Sequence, residues 1–202
     1  MADVAAIILA AGLSRRMGAR NKLLLPLGGV PMIRHMVDVY ARATTHPVLV
    51  VTGHQADAIE AAIAGSFAIT VFNADYAQGQ PTSVACGLRA ACDAATMLIG
   101  LGDQPLLKSH DLHLLLETHQ AGDQTRISIP VRDTDRGNPI VVPASLRAQL
   151  LEDPKSPGCK QFTRAHPEHV AFLTLSAPGF YADVDTPDAY SALMQHKLEE
   201  TS

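Results

Sequence analysis

The chain has 202 residues, of which 47% are apolar and 18% charged, with a formal net charge of −4 and a pI near 6.1. This length suits one α/β domain spanning residues 1–202 and is short for two, and the apolar share excludes a disordered chain. The mild acidity gives no general attraction to nucleic acid or an anionic membrane, and three cysteines without a CxxC argue against a disulfide framework.

The first predicted element is Ala5-Ala6-Ile7-Ile8-Leu9, a continuous apolar run of the kind found in a strand buried on both faces of a parallel sheet. Asp3 precedes it where a signal peptide would carry a basic segment, and no stretch reaches the ~18 apolar residues of a membrane span. A cytoplasmic chain without membrane attachment is therefore expected. The strand runs into a loop of altered character, with Gly12, Ser14 and Gly18 among Arg15, Arg16, Arg20 and Lys22. The spacing matches neither GxxxxGK[ST] nor GxGxxG, so the glycines alone say little. The charge says more, because four cations without an acid repel one another unless an anion lies among them. A basic Gly-rich loop at a strand's carboxyl end is suited to polyphosphate.

Residues 23–27 read as a short extended piece before a Gly28-Gly29 turn. Met32, Ile33, Met36, Val37 and Tyr40 then repeat at helical spacing over 32–43. Strands are predicted at 47–52 and 67–72, with a helix between them that begins after Gly53-His54-Gln55 and ends near Gly65. This alternation predicts a doubly wound α/β sheet. Residues 73–84 are rich in amides and hydroxyls, which fits either a surface loop with a helix cap at Thr82 or Ser83, or contacts to a base or ribose.

A buried strand over 96–101 ends in Gly102-Asp103, bringing one carboxylate to the edge where the basic loop lies, and Ser109 can cap the helix that follows. Strands at 127–131 and 139–142 flank a polar hairpin tip that contains Gly137 and Asn138. Lys155-Ser156-Pro157-Gly158-Cys159-Lys160 precedes a short helix and groups Ser156 and two lysines as a site for a phosphate. Near the end, Asp183 and Asp185 alternate along a predicted strand and so point the same way, ahead of a helix that begins at Asp185-Thr186-Pro187-Asp188 and runs to about 198. The nine histidines show no metal-type spacing.

Leu9-Ala10-Ala11-Gly12-x-Ser14-x-Arg16-Met17-Gly18, followed by Asn21-Lys22, resembles the signature loop of the molybdenum cofactor nucleotidyltransferases, and more broadly of pyrophosphorylase-type nucleotidyltransferases. The resemblance implies a three-layer α/β/α sandwich with a Rossmann-like, mostly parallel sheet of the nucleotide-diphospho-sugar transferase type. It places Leu9, Ala10, Ala11, Gly12, Ser14, Arg16 and Lys22 around the nucleotide, with Lys22 on phosphate, and Gln78, Gly79 and Ser83 on base or ribose. It makes Asp103 of the GDQPL segment a Mg²⁺ ligand and Asp185 of the DxDTPxD ending the second, with Asp183 as an alternative. Gly137 and Asn138 correspond to an acceptor-side element. The segment with Ser156, Gly158 and Lys160 departs from the family's Gly-Asp-x-Gly-Ala-Arg pattern. The implied reaction joins CMP from CTP to the phosphate of molybdopterin, with a recipient molybdoenzyme as a further partner. Ala11, where guanylyl-transferring relatives have a second glycine, resembles the cytidylyl branch. GTP, a sugar or alditol phosphate, and a non-catalytic cofactor-binding module are the alternatives.

Overall fold

The computed structural model describes residues 3–18, 20–152 and 159–200. Four apolar segments form parallel strands: β1 (Val4–Leu9), β4 (Val48–Thr52), β5 (Ala68–Phe72) and β6 (Thr96–Leu101). They alternate with α1 (Met32–Ala41), α2 (Ala56–Ile63) and α3 (Gln80–Ala90). A two-residue pairing of β2 (Pro26–Leu27) with β3 (Val30–Pro31) closes the turn before α1. After β6 come α4 (Ser109–Ala121), β7 (Ile127–Arg132), β8 (Asp135–Arg136), β9 (Ile140–Pro143), α5 (Arg147–Glu152), α6 (Cys159–Ala165), β10 (Val170–Thr174) and α7 (Pro187–Glu200). Among the described residues no helix is long and apolar enough to cross a membrane.

The main sheet runs β10-β7-β9-β6-β1-β4-β5, with β8 paired to β7. β1 lies between β6 and β4, with Ile7 opposite Leu49 on one side and Ile99 on the other. Period-two alternation divides its side chains between two cores. Ala6 and Ile8 pack with Ile33, Met36, Ile59 and Leu112 beneath α1, α2 and α4, whereas Ala5 and Ile7 pack with Val84, Leu88, Leu146 and Leu150 beneath α3 and α5. Ile7 and Ile8 have no exposed surface, and burying each contributes about 2–3 kcal/mol. The result is an α/β/α sandwich with a mostly parallel sheet.

Several local expectations change. The hairpin is β7–β8, pairing Val131 with Arg136, while β9 inserts antiparallel between β6 and β7. β9 is buried along its length, so the sheet interior is where its apolar surface can be covered on both faces. Neither Thr82 nor Ser83 caps α3. The helix starts at Gln80 after Gly79, whose φ of +115° is accessible to glycine, and the Thr82 hydroxyl bonds back to the Gly79 carbonyl at 2.9 Å. Ser109 is the first residue of α4 and not its cap, the free Lys108 N–H being met by the Asp111 carboxylate at 2.9 Å. β10, an edge strand, had no counterpart in the sequence reading.

Candidate active site

The carboxyl ends of β1 and β6 converge on the basic loop. Ser14, with a left-handed φ of +48°, reverses the chain after Gly12. Its hydroxyl accepts from the Lys22 N–H at 3.4 Å, and the Asn21 carboxamide accepts from the Leu23 N–H at 3.1 Å. These bonds fix the backbone from which Lys22 reaches inward. Lys22 Nζ donates to Asp103 and, at 2.6 Å, to Asp185, while Arg16 donates to the other oxygen of Asp185 at 2.6 Å.

Asp103 follows β6 by two residues and is buried. The segment carrying Asp183 and Asp185 is irregular and pairs with no strand, which corrects the expected strand. The expected alternation survives because Val184 is buried and its N–H donates to the Asp103 carbonyl at 2.9 Å. That single backbone bond turns the carboxylates on either side of Val184 toward Asp103. One oxygen from each of Asp103, Asp183 and Asp185 lies within 4.8 Å of the others, a grouping suited to a divalent cation. Asp103 Oδ1 is buried without a hydrogen-bond partner. A buried carboxylate with one orphaned oxygen, grouped with two other acids, fits a hard cation.

The charges shape one another. Burial alone would lower the Lys22 pKa, but the charges and hydrogen bonds of Asp103 and Asp185 outweigh it and hold the ammonium above its ordinary value. Asp185 is opposed by burial yet held below the carboxylate range by Lys22 and Arg16. Asp183 is pushed up, first by burial and then by the charge of Asp185.

Beside this cluster a cleft of about 1020 Å³ opens over the same sheet edge, between the start of α3, the ends of β1 and β6, the β7–β8 hairpin and α6. Leu9, Gly137, Asn138 and Lys160 line it. Gly137 leaves no room for a side chain, since an added Cβ would lie 2.9 Å from the Phe180 carbonyl. The same carbonyl accepts from the Asn138 N–H at 2.8 Å and from buried Gln104 at 3.1 Å, tying the hairpin to the segment that leads into the acidic cluster. A second hollow, between β5 and α3, includes Gln78 and Thr82.

The sequence-predicted residues thus fall into groups. Arg16, Lys22, Asp103 and Asp185 meet directly. Ala10 and Ala11 are buried, and Gly12 is exposed above them. Gln78 and Gly79 lie at the entrance to α3, where Gln78 donates to Asp75 at 2.7 Å. Ser83, expected at a base or ribose, lies at the start of α3. It is buried, and its hydroxyl accepts from the Asn73 amide at 3.0 Å. Asn73 also donates to the Thr82 hydroxyl at 2.9 Å, a bracing role that its position at the end of a strand could have signalled. Ser156 and Gly158 lie outside the described residues. Cys86, Cys92 and Cys159 are free thiols, Cys159 being pushed up to about 12 by burial.

The class of protein this defines is a nucleotidyltransferase. The chain superposes on a nucleotidyl transferase from Methanothermobacter thermautotroptrophicus with a TM-score of 0.82 and 25% identity, covering 98% of each chain. The chain belongs to the MobA-like NTP transferase domain family, which it matches over residues 6–170. It is also 29% identical to nicotine blue oxidoreductase of Paenarthrobacter nicotinovorans, over 95% of this chain and 96% of that protein. Against bifunctional protein GlmU of Kineococcus radiotolerans it is 39% identical over 58% of its length, spanning 25% of that longer protein. Molybdopterin-guanine dinucleotide biosynthesis protein A of Archaeoglobus fulgidus shares the fold, with a TM-score of 0.72 at 18% identity and coverage of 96% and 99%.

Proposed function

We propose that the chain transfers CMP from CTP to the phosphate of molybdopterin, giving molybdopterin cytosine dinucleotide and pyrophosphate. The observation that carries this reading is Lys22, held between Asp103 and Asp185 beneath a Gly-rich basic loop. An acceptor phosphate oxygen attacks the α-phosphorus, a P–O bond forms, and the bond to pyrophosphate breaks. The acceptor is ionised near neutral pH, so no general base is needed. Protonated Lys22 and Arg16 stabilise the departing pyrophosphate, and the loop's N–H groups orient the triphosphate. Mg²⁺, held by Asp103 and Asp185 with Asp183 beside them, would neutralise phosphate oxygens as a Lewis acid.

Preference for CTP rests on Ala11. Its methyl is 3% exposed and lies beside Gly53, where an added Cβ would come within 2.8 Å of it. Its influence on the base therefore runs through the path of the loop backbone and not through direct contact. The test is pyrophosphate release with molybdopterin and Mg²⁺, comparing CTP, GTP, ATP and sugar phosphates as alternative acceptors. GTP preference, or turnover only with a sugar or alditol phosphate, would replace the corresponding substrate. The full-length match to a relative named for an oxidoreductase activity favours a second reading. A change in the oxidation state of nicotine blue catalysed by the chain, without pyrophosphate release, would establish that one instead.

A further inference from the structure

The cleft wall far from the acidic cluster carries Arg136 on β8 and Lys160 and Arg164 on α6, against a single acid, Asp135. Among the described residues none of these three cations has an ion-pair partner within 4.0 Å, whereas Arg16 and Lys22 at the acidic cluster do. Arg136 is held in place by its face. Its guanidinium carbon stacks 4.8 Å from the centroid of the Phe172 ring on β10, leaving the in-plane N–H donors unused. Arg164 adds repulsion, since burial and then the Arg164 charge both lower the Arg136 pKa. Two guanidiniums that line one cleft wall without a counter-ion of the chain are suited to an anion that bridges them.

We infer that Arg136 and Arg164 form an anion subsite on the exposed wall of the cleft, so that the acceptor is a molecule with a second negatively charged group besides the phosphate that receives the nucleotide. The inference rests on the proposed transfer reaction only in taking the cleft as the acceptor's. The subsite selects for doubly anionic acceptors by their charge and length, and discriminates against neutral sugars attached to one phosphate. Lys160 lies beside the subsite as a mobile-stemmed cation of broader geometry.

The test does not depend on turnover. Inorganic sulfate is titrated calorimetrically into the CTP-saturated full-length protein and into its R136Q, R164Q and R136K forms. Saturable binding is expected, weakened about tenfold by R136Q or R164Q with CTP affinity unchanged, and partly retained in R136K. No saturable sulfate binding, equal binding in all forms, or a parallel loss of CTP affinity would overturn the subsite. Failure of the unsubstituted protein to release pyrophosphate with CTP and molybdopterin, while sulfate binding still follows the two arginines, would remove the proposed acceptor and leave the subsite standing. Turnover with molybdopterin whose acceptor KM is unmoved by R136Q and R164Q would do the reverse.

Discussion

The two halves of the sheet's working edge treat charge in opposite ways. Around β1 and β6 the cations are matched within the chain, Lys22 by Asp103 and Asp185, and Asp185 again by Arg16, while Asp183 adds a carboxylate with no ion-pair partner among the described residues. Across the cleft, Arg136 and Arg164 stand against each other with no acid within ion-pair distance among the described residues. The first arrangement holds its cations on acids of the chain itself and stands on strands buried on both faces. The second is completed only by a ligand and stands on a two-residue strand and a seven-residue helix. An internally satisfied cluster keeps its geometry before substrate arrives, whereas an unsatisfied one adds most of its interaction energy when substrate binds.

If the first half performs the chemistry, breaking it has the largest effect. Asp103→Asn is expected to lower kcat about 10³-fold, and Lys22→Met about 10²-fold or more, on the scale of losing a preorganised charge. Single-turnover pyrophosphate release measures both. Losses of less than about tenfold would place the chemistry elsewhere in the cleft.

The rigid support under that half is tested next. Gly100 on β6 lies against the buried Tyr40 hydroxyl, and an added Cβ would overlap it. Gly100→Ala is therefore expected to destabilise the fold by about 3 kcal/mol, while Tyr40→Phe, which removes a hydroxyl without a hydrogen-bond partner, raises stability by about 1 kcal/mol. Chemical denaturation reads both, and a neutral Gly100→Ala would show that β6 can shift. Asn73→Ala removes the bonds to Thr82 and Ser83 and is expected to cost about 2 kcal/mol, with a smaller loss of turnover than Asp103→Asn.

The smallest effect sharpens the comparison from the other side. His119 on α4 is 2% exposed and meets the Ser128 hydroxyl of β7 at 2.8 Å. Burial, against the charge of Asp123, lowers its pKa from the usual 6.5. The unfolded chain then binds the proton more readily, so the contribution of His119 to stability is complete above pH 6.5 and declines as pH falls toward the lower folded value. Denaturation midpoints between pH 7 and 5 should fall less steeply in His119→Gln. An unchanged slope would show that β7 and the hairpin it carries do not depend on that histidine.

Much of the first half is legible from the sequence because local pattern and function coincide there. The run through Leu9 reads as a buried strand, and the cationic loop after it carries no acid of its own and so calls for negative charge from elsewhere. Asp103 ends a second such run. The other half is less legible for physical reasons. The position of β9 between β6 and β7 is a matter of long-range pairing that a four-residue segment does not encode. Asp183 and Asp185 are aligned by the Val184 N–H bond to the Asp103 carbonyl and not by strand pairing, so the reading of their common direction holds while the reading of their element does not. The bond that Ser83 accepts from Asn73, a partner ten positions away, cannot be read from a list of hydroxyls. Arg136 and Arg164 were invisible because their shared lack of an acid emerges only once hairpin and helix face each other.

The most direct test of the account is pyrophosphate release by the full chain with Mg²⁺ and molybdopterin, run side by side with CTP, GTP and ATP. The account predicts release with CTP, abolished in Asp103→Asn and shifted toward GTP in Ala11→Gly. Release that survives Asp103→Asn, or none with any nucleotide while all three still bind, would contradict it.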